Sequence, residues 1–322
     1  MSLIRSVAVL LALLAAAPAL AEDCTLALVG ELELQPLESG SPVVSAAVNG
    51  SARRFLVEPG ALWTALSAPV AAELGLKPLA LRSLGRTEIY AGGDEASQFT
   101  VADRFEFGGL TMAQAKLLLL PEKVVGPDLD GVLGSDFLAK FDLEFDFAKH
   151  VLRLVSQKHC KGRVVDWTHD YVAVPFEISP SRHLVVAMTL DGKRVRVAID
   201  TARIKTAMSE SSANRLFGLS AASPGVEVPA DAESAKSLKF RTQFDSLSIS
   251  GLAIRHPTVY VWADENARAL SKRHTDKTQA EPATSIPLEQ QDLEVGTEVL
   301  RHLHLYVAFA EKMLYLSAAD AH

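Results

Sequence analysis

Alternating apolar and polar positions recur in the same order in the two halves of the chain. The stretches "VVSAAVNGSARRFLV" (43–57) and "LVVAMTLDGKRVRVAI" (184–199) each read as two strands of period two around a two-residue turn. The turns are Asn49-Gly50 and Asp191-Gly192, the pairs that accept positive φ at both central positions of a type I′ turn. Each second strand ends in an acid, Glu58 or Asp200, and each chain then turns to an Ala-Leu-Ser or Ala-Met-Ser. Short helices are predicted next, in "SAPVAAELGL" and "SESSANRLFGL", with Ser67 and Ser209 as N-caps and Gly75 and Gly218 closing them. Further alternating strands follow in "RFEFGGLTMAQAKLLLL" and "QFDSLSISGLAIRHPTVYV". The halves end on a gapless match, "LGSDFLAKFDLEFDFAKHVLRL" against "VGTEVLRHLHLYVAFAEKMLYL": a glycine, a short helix, a strand, a turn and a strand.

Such self-similarity outranks any local pattern. It predicts an all-β architecture, mainly β with short helices, built as two tandem lobes related by a pseudo-twofold. Residues 22–160 form the first lobe and 161–322 the second, joined through "KHCKGRVVD". The second lobe is longer, and its extra residues fall in two polar stretches, "SAASPGVEVPADAESAKS" and "WADENARALSKRHTDKTQAEPATS", which read as surface loops.

Residues 1–21 fall outside this pattern. Arg5, the apolar run Val7 to Ala17 and the closing Ala19-Leu20-Ala21 read as a secretory signal peptide, too short for a membrane span. The mature chain is therefore expected to be exported, to the periplasm or the outside, with no membrane span. Export gives meaning to the two cysteines, Cys24 and Cys160: in an oxidising compartment a lone pair is most simply a disulfide. Apolar residues make up 48% of the 322, enough for two cores, and the net charge is −7. No basic patch of the kind nucleic-acid binding needs is present.

An acid at the end of a strand, on a tight turn, once per lobe, has a chemical use. Two such turns facing each other across a pseudo-twofold bring two carboxyl groups together. They then share one proton, so that one group can activate water while the other polarises a carbonyl. With the hydrophobic strand, the acid-centred turn, the "LS" helix and the later Val132-Leu133-Gly134-Ser135-Asp136-Phe137-Leu138, the sequence resembles the retropepsin-like (pepsin/retropepsin) aspartic peptidases over nearly all of the mature chain. The resemblance implies a bilobal acid-protease-like fold, a peptide or protein as substrate or ligand, and catalytic roles for Asp200, Glu58 and Thr201. It also implies a monomer, because the duplication supplies the twofold that a one-lobe relative obtains by dimerising.

The departures from the family's Asp-Thr-Gly are specific. The first lobe has Glu58-Pro59-Gly60 and the second has Asp200-Thr201-Ala202, followed by Arg203. Glu is one methylene longer than Asp. Pro59 offers neither a hydroxyl nor an N–H, so Thr201 alone could bond across to the opposite turn. Ala202 adds a methyl where the family has a glycine, and an inward Arg203 would favour two ionised carboxylates, or it could point away or pair with Glu58. Two readings follow: a working endopeptidase with a Glu58/Asp200 pair, or a catalytically inactive relative that binds a peptide or protein partner between the lobes. Gly60, Ala202 and Arg203 would line that groove. A covering flap is expected in "GRTEIYAGGDEASQFTV", with Tyr90 before the Gly92-Gly93 tip; the second lobe's would lie in "GVEVPADAESAKSLKF".

Other patterns read as structure. Asp142, Glu144 and Asp146 in "FDLEFDF" share one face of a strand, read as solvent-facing. His302 and His304 lack a third ligand at metal spacing. Asn49-Gly50-Ser51 is explained as a hairpin turn, and Asp136 and Glu298 as cap or turn residues. No G-x-S-x-G, G-x-G-x-x-G or P-loop occurs, so neither a serine-hydrolase site nor a cofactor is expected.

Overall fold

The computed structural model describes residues 25–35, 37, 40–85, 89–91, 94–126, 128–179, 182–229, 238–264 and 291–320. The expected signal peptide and Cys24 lie outside them, as do the Gly92-Gly93 tip and most of the second polar insertion.

The first lobe is a closed barrel. Strands β2 (Val43–Val48) and β3 (Ser51–Val57) form the first hairpin, with Asn49 and Gly50 both at positive φ, as the type I′ turn requires. From β3 the sheet runs through β10 (Gly131–Leu133), β4 (Ala65–Ser67), β9 (Leu110–Leu120) and β8 (Gln98–Phe107), which returns to β2, with β5 (Leu79–Ala80) on its edge. Helices α1 (Ala68–Glu73), α2 (Glu122–Val125) and α3 (Ser135–Leu138) connect its strands. Beside it, β6 (Ile89–Ala91) and β7 (Asp94–Ala96) make a separate two-stranded hairpin where the flap was expected.

The second lobe repeats this plan. Hairpin β15 (Leu184–Leu190) and β16 (Lys193–Ile199) again turns on two positive-φ residues, Asp191 and Gly192, and short β14 (Glu177–Ile178) pairs with β15. The turn side chains do the same work in both lobes. Arg104 N–H donates to Asn49 Oδ1 at 2.9 Å, and Ser246 N–H donates to Asp191 Oδ1 at 2.8 Å. The sheet continues from β16 through β23 (Leu293–Val295), β17 (Ala207–Ser209) and β22 (Thr258–Trp262) to β19 (Leu238–Gln243) and β18 (Val226–Glu227). The long hairpin of the first lobe is divided here: β20 (Ser246–Ile249) and β21 (Leu252–Arg255) return to β15, while β19 and β22 pair further out. The division falls at His256-Pro257, where a proline cannot donate to the ladder. His256 has positive φ, and so does Gln114 at the equivalent place in β9. Helices α4 (Glu210–Phe217) and α5 (Thr297–Leu300) occupy the places of α1 and α3.

A six-stranded sheet joins the lobes: β1 (Leu28–Glu33), β12 (Val151–Val155), β11 (Asp142–Asp146), β24 (Leu303–Ala308), β25 (Met313–Ala318) and β13 (Val172–Pro175). The seam is β11 against β24, the matching strand of each lobe, antiparallel from Leu143↔Val307 to Asp146↔His304. One face packs on the cores through Leu143, Phe145 and Leu305. On the other face, the expectation that Asp142, Glu144 and Asp146 meet solvent is corrected: all three are buried. The connecting segment 156–171 packs over that face, with Val164 fully buried and Trp167 lying flat on His304, ring centroids 3.9 Å apart. The charges beneath are paired, Asp142 with His159 at 2.6 Å, Glu144 with Arg153 at 2.8 Å and with His304 at 3.0 Å. Burial of such groups is tolerable only with partners of this kind.

Candidate active site

Two parallel strand pairs position the two acids. In the first lobe β10 lies beside β3, and Glu58 N–H donates to the Leu133 carbonyl at 3.0 Å as β3 ends. In the second, β23 lies beside β16, and Asp200 N–H donates to the Val295 carbonyl at 3.1 Å. This arrangement passes a chain between β3 and β4 so closely that a Cβ on Gly131 would stand 2.4 Å from the Ala65 carbonyl oxygen. The following glycines, Gly134 and Gly296, lie as close to the turn of their own lobe, at Trp63 and Ile204. Asp136 secures the first turn by accepting from Thr64 N–H at 2.8 Å and Thr64 Oγ1–H at 2.7 Å. Glu298 secures the second, accepting from Thr206 N–H at 2.9 Å. Both fit the turn roles read from the sequence.

The structure brings Glu58, Asp200 and Thr201 together, all buried. Asp200 Oδ1 accepts two N–H groups of its own turn, Ala202 at 2.9 Å and Arg203 at 3.0 Å. Glu58 Oε1 accepts Gly60 N–H at 2.8 Å. Its second oxygen, Oε2, lies 2.8 Å from Thr201 Oγ1, which lies in turn 2.7 Å from the Val57 carbonyl oxygen. Thr201 thus makes the cross-lobe contact expected of it, and Pro59, its counterpart, has no hydroxyl or N–H to reciprocate.

Burial pushes the Glu58 acid up to about 8, and the negative charge of Asp200 adds to this, against the opposing pull of Thr201 and the Gly60 and Ala202 amides. Glu58 is therefore held predominantly neutral at pH 7.

Two expectations about the turns are refined. Ala202 is exposed rather than buried against the partner carboxyl. Gly60 is the position that must stay bare: a Cβ there would stand 2.5 Å from Glu58 Oε1 and 3.0 Å from His183 Cδ2. Arg203 pairs with Glu294 and borders Asp200 and is not paired with Glu58. Its Nε lies 2.6 Å from Glu294 Oε2 and 3.6 Å from Asp200 Oδ2. Glu294 and His183 were missed in the sequence. Glu294 stands on β23 where the first lobe has apolar Val132, a break in the repeat that could have drawn notice; for His183, at the foot of β15, no sequence signal exists. Tyr90 falls on β6 of the expected flap hairpin. Among the described residues no group of three or more metal-ligating side chains is placed to hold an ion, and no helix is long and apolar enough to cross a membrane.

Residues 44–137 match the family model described as an aspartyl protease. No curated protein matches the chain. Among solved structures, basic 7S globulin from soybean aligns over 91% of this chain and 95% of its own, at 9% identity and a TM-score of 0.51. The crystal structure of edgp aligns over 90% and 94%, at 9% identity and a TM-score of 0.54. These likenesses extend the two-lobed fold across the second half, which the family model does not reach. The first lobe is thus similar to the aspartyl protease family over residues 44–137, and the whole chain shares the two-lobed fold of these solved structures.

Proposed function

We propose that the protein is an exported, catalytically inactive relative of the aspartic peptidases that binds an extended peptide between its lobes. The observation carrying this is the state of Glu58: both carboxyl oxygens are engaged in the floor of the junction, one by the Gly60 amide and one by Thr201. Each hydrogen bond already made leaves a carboxyl oxygen less free to orient a shared water for proton transfer. Asp200 alone has an oxygen outside its own turn, Oδ2, and Arg203 lies 3.6 Å from it. Misplacement of a reacting group by about 1 Å can cost a hundredfold in rate, and the extra methylene of Glu58 moves its carboxyl by more than that.

One observation favours hydrolysis instead. The Glu58 acid is raised to about 8 by burial and by the neighbouring Asp200, and a carboxyl that keeps its proton beside a second carboxyl is what acid-pair chemistry uses.

Equilibrium binding of an unbiased pool of extended peptides to the mature chain, with mass spectrometry of the bound and free fractions, separates the readings. Retention of intact peptides supports the proposal. Absence of any retained peptide removes peptide binding from it, and shortened products favour hydrolysis.

Export, the Cys24–Cys160 disulfide and the monomeric state belong to the same proposal. The leader-like residues 1–21, the presence of only two cysteines and the lack of a free cysteine among the described residues support it. Intact mass before and after reduction tests the disulfide through a gain of about 2 Da in the mature chain, and light scattering tests the monomer.

A further inference from the structure

A single hydroxyl in the lobe junction lies between two oxygens. Thr201 Oγ1 is 2.7 Å from the Val57 carbonyl oxygen and 2.8 Å from Glu58 Oε2. A threonine hydroxyl carries one proton. Were Glu58 ionised, Val57 and Glu58 would both be acceptors, and one of the two short contacts would have no proton in it, in a buried site where an unmet acceptor is costly. A proton on Oε2 resolves the geometry. Glu58 then donates to Thr201 Oγ1, Thr201 donates to the Val57 carbonyl, and Glu58 Oε1 still accepts from Gly60.

The neighbouring residue explains why an acid is needed there. Pro59, the pseudo-twofold counterpart of Thr201, has neither hydroxyl nor N–H, so the first turn has no donor of that kind to offer its partner. We propose that Glu58 is a positioning residue held as a neutral acid, donating the hydrogen bond that ties the Asp200-Thr201 turn to the first lobe in place of the donors Pro59 lacks. The groups facing it act in both directions: burial and the Asp200 charge favour the neutral acid, and the Gly60 and Ala202 amides oppose it. Gly60 comes from its own turn. Asp200, Thr201 and the Ala202 amide come from the opposite turn. His183 approaches from the foot of β15. The Asp200 charge opposes ionisation of Glu58, and the Arg203 guanidinium is engaged by Glu294. The inference shares with the proposed function the assignment of Glu58 to structure, but its observable is a titration, not turnover: peptide cleavage by the wild type would overturn the function and leave the titration to be judged separately.

The sign of a pKa shift decides it. A hydroxyl that accepts the acid's proton holds the Glu58 pKa up, whereas a hydroxyl that donates to the carboxylate holds it down. Carbon-13 NMR of the mature chain with labelled glutamate carboxyls would follow Glu58, assigned by its loss in Glu58→Gln. We expect a wild-type midpoint at or above about 8, a lower midpoint in Thr201→Val, and a wild-type midpoint in Thr201→Ser. A raised or unchanged midpoint in Thr201→Val overturns the proposal. Should Thr201→Val fail to fold, the Tm of Glu58→Gln at pH 5 decides. The amide keeps both an acceptor and a donor, so we expect a Tm within a few degrees of wild type, and a loss of ten degrees or more overturns the proposal.

Discussion

His159 Nε2 lies 2.6 Å from Asp142 Oδ2, with both side chains buried. His159 comes from the segment between the lobes and Asp142 from the seam strand β11, so this pair fastens the connecting strap to the sheet that unites the molecule. Phe309 N–H donates to the other Asp142 oxygen at 2.9 Å, and Glu311 lies 3.5 Å from His159 Nδ1. The aspartate's pKa is raised by burial against the pull of His159. His159→Ala should cost about 3–5 kcal/mol, the usual penalty for stranding one member of a buried pair. Urea unfolding of the two proteins measures it, and a loss below about 1 kcal/mol would show that the strap does not depend on this contact.

Gly134→Ala and Gly296→Ala should be damaging to a similar degree. Each new methyl would meet the turn backbone of its own lobe, at 2.6 Å from the Trp63 carbonyl carbon and 2.5 Å from the Ile204 carbonyl oxygen. Overpacking against backbone costs on the order of 1–3 kcal/mol or more. Gly192→Ala provides the contrast: a Cβ there meets nothing within 4 Å, and only its φ of 77° opposes the change. Thermal unfolding of the three variants ranks them.

The two helix caps should separate. Ser209 accepts the Ser212 N–H at 3.2 Å, whereas Ser67 makes no side-chain cap bond and is followed by a proline in the first turn. Ser209→Ala is expected to lose about 1 kcal/mol, and Ser67→Ala less than half of that. Equal losses would contradict the cap geometry.

Glu58 also sets a slope of stability against pH. Its folded pKa, about 8, lies above the ordinary 4.5, so the folded state binds the proton more tightly than the unfolded chain. The resulting stability is fully present below pH 4.5 and is lost as pH rises toward 8. The local slope is at most about 1.4 kcal/mol per pH unit. Unfolding free energies from pH 5 to pH 8 should fall more steeply in the wild type than in Glu58→Gln, and parallel curves would contradict it.

The duplication was legible because it lies in features that sequence states directly: Asn49-Gly50 and Asp191-Gly192 at the same place in two alternating runs, and a gapless match at the end of each half. The reach of Thr201 across to the opposite turn was legible for the same reason, but its contact with the Glu58 carboxyl was not. Burial of Asp142, Glu144 and Asp146 was not. Alternation marks which residues share a face, but a second layer over that face comes from "KHCKGRVVD" and Trp167, whose packing has no periodic signature. Likewise Ala202 was read as a methyl added beside the groove, yet its exposure depends on the turn's backbone, which the residue names do not give. The interruption at Pro257 was visible as a proline, though its effect, dividing one long hairpin into two shorter ones, depended on tertiary pairing.

Hydrolysis tests the central claim most directly. The purified mature protein would be incubated with an unbiased peptide library from pH 3 to pH 8, beside Asp200→Asn and Glu58→Gln. The account predicts that the folded wild type yields no more cleavage than either variant at any pH. Cleavage by the wild type that both substitutions abolish would contradict it and make Glu58 and Asp200 a working catalytic pair.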